Sequence, residues 1–266
     1  MRRGFFLFIA ALSIATDPGV ASAVDLQPHR AVYRMVLDKA RRNSDVVSAN
    51  GVMVYRFARV CDGWTVENRT FLRLLYDNDT EADTLWSFAS WEAKDGLSFR
   101  FHTRYEQDGK IIEKLDGSAS LHGRGGAGTA RLATPETRIA LPAGTLFPTE
   151  HLREVVAAAE SGRHAFGRVV FDGASLENPY LVNALFGPLS SGTAEAMASA
   201  LKLPVRPAWW MRMAFFSMGA IEAEPEFEMS AQYRSDGIAD HILQQFDAFS
   251  LDVRIKEVEL LPPPDC

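Results

Sequence analysis

Cysteine is nearly absent: Cys61 and Cys266 are the only two in 266 residues. Neither is spare for a zinc site, and the histidines do not make up the shortfall. His29, His102, His122, His151, His164 and His241 form no H-x-H or H-E-x-x-H pair. A basic excess is also missing. Lysine and arginine number 28 against 34 aspartates and glutamates, a net charge of -6. Nucleic acid rewards basic faces through counterion release, so this balance argues against it as a partner. It argues equally against general adsorption to anionic lipid surfaces. Long apolar runs are scarce. The N-terminal one, Phe5 to Ala15, is about 11 residues, where a spanning helix needs about 20. No low-complexity linker and no repeat divides the chain, which reads as one domain.

What is present begins with "MRRGFFLFIAALSIATDPGVASA". Arg2 and Arg3 precede the apolar run, and Ala21-Ser22-Ala23 closes it. A basic start, an apolar stretch and an A-x-A end make a secretory signal peptide, with cleavage expected after Ala23. No Cys stands at that point, which argues against a lipoprotein. The expected organisation is a signal peptide over 1–23 and a single domain over 24–266.

The rest of the chain has the texture of an antiparallel meander. Asp-Gly recurs at 62–63, 95–96, 108–109, 116–117, 172–173 and 236–237. This dipeptide suits tight turns whose twist matches two antiparallel strands. Between the turns, apolar residues alternate with a period of two. In "RAVYRMVLD", Ala31, Tyr33, Met35 and Leu37 share one face, and Arg30, Val32, Arg34 and Val36 the other. Around a dozen strands would leave long apolar faces and edges bare, so the sheet must curl or close on itself. One segment differs. "LPAGTLFPTEHLREVVAAAESGR" predicts a helix over 150–161, with Thr149 as N-cap and Gly162 at C′. A short helix is expected over 193–202.

Several stretches mimic chemical motifs without their context. "GRGGAG", Gly123 to Gly128, matches the dinucleotide fingerprint by letter, but Pro135 and a strand-like "TARLA" follow it. No helix opens there to receive a pyrophosphate, so a glycine-rich hairpin is expected. "SALK", Ser199 to Lys202, fits S-x-x-K, yet no K-T-G strand accompanies it. The acidic "YDNDTEAD" lacks the glycine and distal Glu of an EF-hand and reads as a solvated turn. Two aromatic stretches are more suggestive. "AWWMRMAFF" puts Trp209, Met211, Met213 and Phe215 on one face, and "LWSFASW" adds Trp86, Phe88 and Trp91. Plain core packing explains such density; the functional reading is a hydrophobic groove inside the curled sheet.

Two cysteines in an exported chain form an even set that an oxidising compartment favours pairing. Two buried free thiols, or an intermolecular bridge through Cys266, remain open on the residues alone. The stiff Pro262-Pro263-Pro264 spacer would fray unless its end were held.

The ordered set "LQPHRAVYRMVL", "CDGW", "SWEAKDGLSFRF", "LPAGTLFPTEHL", "VFDG" and a C-terminal strand ending in Cys resembles the cell envelope integrity protein EipB family. The likeness runs from Leu26 to Cys266. It implies a periplasmic protein of a Gram-negative bacterium, with a long antiparallel sheet wound as a spiral or open barrel around one helix. Its shape would be distantly like the periplasmic lipoprotein carriers, with a different topology. The resemblance also implies a disulfide between Cys61 and Cys266. The role it implies is envelope maintenance under stress, without enzymatic activity or cofactor. The expected mechanism is therefore binding of a lipid, a lipoprotein or a periplasmic protein. The competing expectations are an envelope hydrolase acting on peptidoglycan or lipid, and a scaffold with no cavity.

Overall fold

A computed structural model describes residues 24–42, 44–218 and 224–266. The expected signal peptide, 1–23, lies outside them. Among the described residues, fourteen strands form a single sheet in which every neighbouring pair is antiparallel. The first eight are β1 (His29–Ala40), β2 (Val46–Arg59), β3 (Gly63–Tyr76), β4 (Glu81–Ala93), β5 (Ser98–Gln107), β6 (Lys110–Leu121), β7 (Gly128–Thr134) and β8 (Glu136–Leu141). Helix α1 (Pro148–Glu160) follows, then β9 (Ala165–Val170), β10 (Tyr180–Pro188) and helix α2 (Ser191–Leu201). The last four strands are β11 (Ala208–Ser217), β12 (Phe227–Arg234), β13 (Ala239–Gln245) and β14 (Phe249–Leu260). The expected meander is what the chain forms. Its spatial order is β8-β7-β6-β5-β4-β3-β2-β1-β14-β13-β12-β11-β10-β9. The first and last strands of the meander thus meet in the middle, and β8 and β9 are the free edges.

Alternation decides the faces. Along β1, Ala31, Tyr33 and Met35 are buried while Arg30 and Arg34 are exposed. The sheet then curls until distant strands share a core. Met53 and Leu72 of β2 and β3 pack with Ala231 and Ile242 of β12 and β13. The Tyr33 hydroxyl donates to the Ala239 carbonyl at 2.9 Å, inside that same core. The edges approach without closing: Leu146, just after β8, makes one parallel bridge to Val170 of β9.

Glycine is essential where the loop after β9 crosses the inner face of β5. Gly173 has φ +68°, and a Cβ there would lie 2.4 Å from Cγ of Phe101. Its carbonyl accepts a 2.8 Å hydrogen bond from the Thr103 hydroxyl. Gly173→Ala is expected to cost about 2 kcal/mol through left-handed strain and displacement of the ring. A denaturant midpoint equal to wild type would contradict this packing.

The helices depart from expectation at their starts. α1 begins at Pro148, and its N-cap is Phe147, with no side-chain cap bond. Thr149 is two positions past the N-cap; its amide donates instead to Glu92 of β4, at 2.7 Å. Proline at the first helical position is pre-set for the helix and outweighs the Thr signal. At the other end Gly162, φ +79°, takes the left-handed position, with amides of Gly162 and Arg163 bonded to Ala159 and Ala158 carbonyls. There the sequence reading holds. α2 starts two residues early, capped by the Ser190 hydroxyl. It packs on Ala208 and Ile238 at one end of the sheet, so the fold has a second helix beside the enclosed one. Residues 123–127 of "GRGGAG" form the β6–β7 turn, and Gly128 opens β7. Ser199 and Lys202 are exposed at the end of α2.

Cys61 and Cys266 form a disulfide with Cα atoms 5.7 Å apart. Cys61 sits in the β2–β3 turn, and the tail after β14 reaches it past β1, with the Leu261 amide donating to the Pro28 carbonyl. The bridge therefore ties together the central strands of the sheet.

Candidate apolar binding site

The curled sheet has two unlike ends. One is filled. There Glu92 accepts amide hydrogens from Thr149 at 2.7 Å and Glu150 at 2.9 Å, fixing the first turn of α1 to β4. Val155, Val156, Ala158 and Ala159 then bury against Phe166, Val182, Phe186, Trp209 and Met211. Phe147 stacks on Phe99 at 5.1 Å and extends the filling towards β5. Two titratable groups lie in this closed packing. Burial pushes the Glu92 carboxyl up to about 7, against the hydrogen bonds it accepts. Burial, helped by the nearby Arg168, pushes the His151 imidazole down to about 4.

Towards the opposite end the same inner face opens. On β10, Phe186, Ala184 and Val182 are buried, and Tyr180 is half-buried. On β11, Trp209, Met211 and Met213 are buried, and Phe215 is half-buried. The rings at this end form a continuous row across the sheet. Tyr180 to Phe215 is 6.2 Å between centroids, Phe215 to Phe227 5.6 Å, Phe227 to Phe246 5.5 Å, and Phe246 to Phe249 5.3 Å. Phe246 is 39% exposed at the β13–β14 turn. Further along the inner face, Trp86 and Phe88 of β4 stack at 5.6 Å, both half-buried, beside half-buried Asn68 and Thr70 of β3. Strand ends and turns at this end carry further exposed apolar groups: Val47, Ile111, Leu176 and Met218.

Within the row of rings only Tyr180 carries a polar group. The Tyr180 hydroxyl shares a 2.7 Å hydrogen bond with Ser175, and burial pushes its pKa up to about 12. Burial, with Glu177 nearby, raises the Glu113 carboxyl. Such a surface suits an apolar chain with few directional demands. The close histidine–aspartate pairs lie elsewhere. His102 with Asp116, and His241 with Asp252 at 3.0 Å, sit on residues whose alternation faces them outwards. No cluster of three metal-ligating side chains occurs among the described residues.

The expected groove residues divide. Trp209, Met211 and Met213 are 7%, 0% and 5% exposed, sealed beneath α1 as core rather than as a groove wall. Phe215, Trp86 and Phe88 face the half-open interior. Trp91 lies on the outer face, because a period of two puts residue 91 opposite 86 and 88. Its indole N–H donates to Asp62 at 3.2 Å, and the Arg100 guanidinium stands 4.7 Å from the ring centroid. The rings at Tyr180, Phe227, Phe246 and Phe249 escaped the sequence reading. They come from three separate stretches of the chain, Phe246 and Phe249 flanking one turn, and only the strand register brings them into one row.

The solved structure of a beta-barrel-like protein of a domain of unknown function from Brucella abortus has the same fold. Its TM-score is 0.83 at 24% identity, over 90% of this chain and 100% of that one. The cell envelope integrity protein EipB of Brucella abortus (strain 2308) is 33% identical over 153 residues. That match covers 57% of this chain and 54% of EipB, so the chain spans about half the length of the curated relative it matches. The EipB-like family profile matches residues 20–262, nearly the whole described fold, and the chain belongs to the EipB-like family.

Proposed function

We propose that this is an exported, periplasmic, non-enzymatic protein that supports cell-envelope integrity by holding an apolar chain on its half-open inner face. The chain is the acyl part of a lipid or lipoprotein. The observation that carries the reading is the row Tyr180–Phe215–Phe227–Phe246–Phe249, apolar and accessible on a face that is sealed beneath α1. Leaving such rings wet forgoes burial free energy of about 25 cal/mol per Å2 of apolar area, which a bound acyl chain would recover. The relative named for cell envelope integrity supports the wider role.

Native mass spectrometry of the protein gently extracted from periplasm is expected to show a co-purifying lipid or acylated partner. Phe227→Glu with Phe246→Glu is expected to abolish it while leaving the melting temperature within a few degrees of wild type. A consistently empty wild-type protein would sink the idea. Incubation with phospholipid and with peptidoglycan is expected to give no new products; cleavage of either would favour a hydrolase.

A further inference from the structure

The outer face of the sheet carries a second surface, separate from the inner one. Register lines up its residues across neighbouring strands. Arg254, Arg34, Val52, Phe71 and Leu85 are successive cross-strand neighbours on β14, β1, β2, β3 and β4. Val52, Phe71 and Leu85 are 45%, 41% and 37% exposed. In the adjoining row Val32, Val54 and Arg69 follow one another. A shallow groove of about 520 Å3 is lined by Val32, Arg34, Val52 and Phe71 of these rows, with Arg73 and Lys256 at its sides.

The charges here run against the whole-chain balance of -6. Arg34, Arg69 and Lys256 have no acidic partner among the described residues. Arg34 stands directly opposite Arg254, a like-charge pairing that costs stability in a sheet. The nearby acids lie at the margin. Asp83 is taken up by Arg73 at 2.7 Å, Asp252 by Arg254, Glu67 by Arg56, and Glu106 by Arg104; Glu257 faces Val32. A negative average speaks against uniform adsorption to an anionic surface; it does not exclude one face from it.

We propose that this outer face of β14 and β1–β4 seats on an anionic phospholipid surface. Arg34, Arg69 and Lys256 meet the phosphates, while Val52, Phe71 and Leu85 enter the boundary between headgroups and acyl chains. Cations interleaved with exposed apolar groups are the pattern that such a boundary selects. The apolar row extends over three strands and offers no deep slot to choose one peptide side chain. Unpaired guanidinium groups supply the charge complementarity.

The test is co-sedimentation of the purified full chain with vesicles of phosphatidylcholine alone and with added phosphatidylglycerol. Binding is expected to the anionic vesicles only, weakening as salt rises. Each cation near such a surface adds about fivefold in affinity. Arg34→Gln, Arg69→Gln and Lys256→Gln together should therefore bind at least about 30-fold more weakly, with unchanged melting. Phe71→Ser should weaken binding further. Phe227→Glu on the inner face should leave it unchanged, which separates this surface from the acyl site. Absent binding, equal binding to both vesicle types, or a triple variant that binds like wild type would each overturn the proposal. So would capture by polyglutamate without capture by anionic vesicles, which would mark an acidic protein as the partner.

Discussion

Replacing Cys61 or Cys266 by Ser is expected to lower the melting temperature by about 10 °C. The bridge closes a loop of 205 residues. In the chain-entropy account, releasing so long a loop returns about 5 kcal/mol of freedom to the unfolded chain, and strain in the native bridge would subtract from that. The location enlarges the consequence. β14 pairs with β1 and β1 with β2, so a tail held at Cys61 clamps the place where the first and last strands meet. Without it, β14 can fray from β1, and the spiral loses its central seam. The double variant should match either single one, since each breaks the same loop. Both cysteines are exposed, so reductant should reproduce the effect on the wild type. Differential scanning calorimetry with and without reductant measures all four cases. Unchanged melting would show that the seam holds without the bridge.

The second large effect is a pH dependence hidden in the wild type. Glu92 is raised from 4.5 to about 7, chiefly by burial. Between those values the folded chain holds a proton that the unfolded chain has lost, so this group makes stability fall as pH rises from about 4.5 to about 7. His151 is lowered from 6.5 to about 4, chiefly by burial, with Arg168 adding to it. Here the unfolded chain binds the extra proton, and stability rises with pH from about 4 to about 6.5. A tenfold change in proton affinity is worth about 1.36 kcal/mol, so each swing is about 3 kcal/mol. The two oppose each other over most of their range. Both groups hold α1 in the closed end: Glu92 at its first turn beside Glu150, which Arg124 and Arg153 contact, and His151 against Phe166. Glu92→Gln is expected to expose the His151 slope, with stability rising steeply towards pH 6.5. His151→Leu is expected to expose the Glu92 slope, with stability falling towards pH 7. Denaturant midpoints from pH 4.5 to 7.5 on the three proteins decide it. Parallel profiles would mean that neither group is buried as described.

Much of the architecture follows from local pattern. Period-two alternation along segments such as 30–38 set which side chains turn inward, and Asp-Gly marked five of the reversals between strands, whereas Asp116-Gly117 lies inside β6 at a register shift against β7. Gly162 could be placed as a helix stop because only its own backbone conformation was at stake. The start of α1 could not, because its capping group is Glu92, far away in an aromatic stretch that reads as strand. The groove reading failed in part for the same reason. Trp209 and Phe215 look equivalent on one strand face, yet α1 covers the first and leaves the second half-open.

By itself the sequence determined a mostly β meander, its inward residues, one strong helix, and two cysteines free to pair. These depend on contacts between near neighbours, where spacing along the chain equals spacing in space. Only the tertiary structure decided which inward residues stay accessible, how β14 closes onto β1, and which arginines lie beside Val52 and Phe71. Those depend on curl and register accumulated over fourteen strands. A small twist at each strand has no signature in any short stretch of residues, but summed across the sheet it sets what faces what.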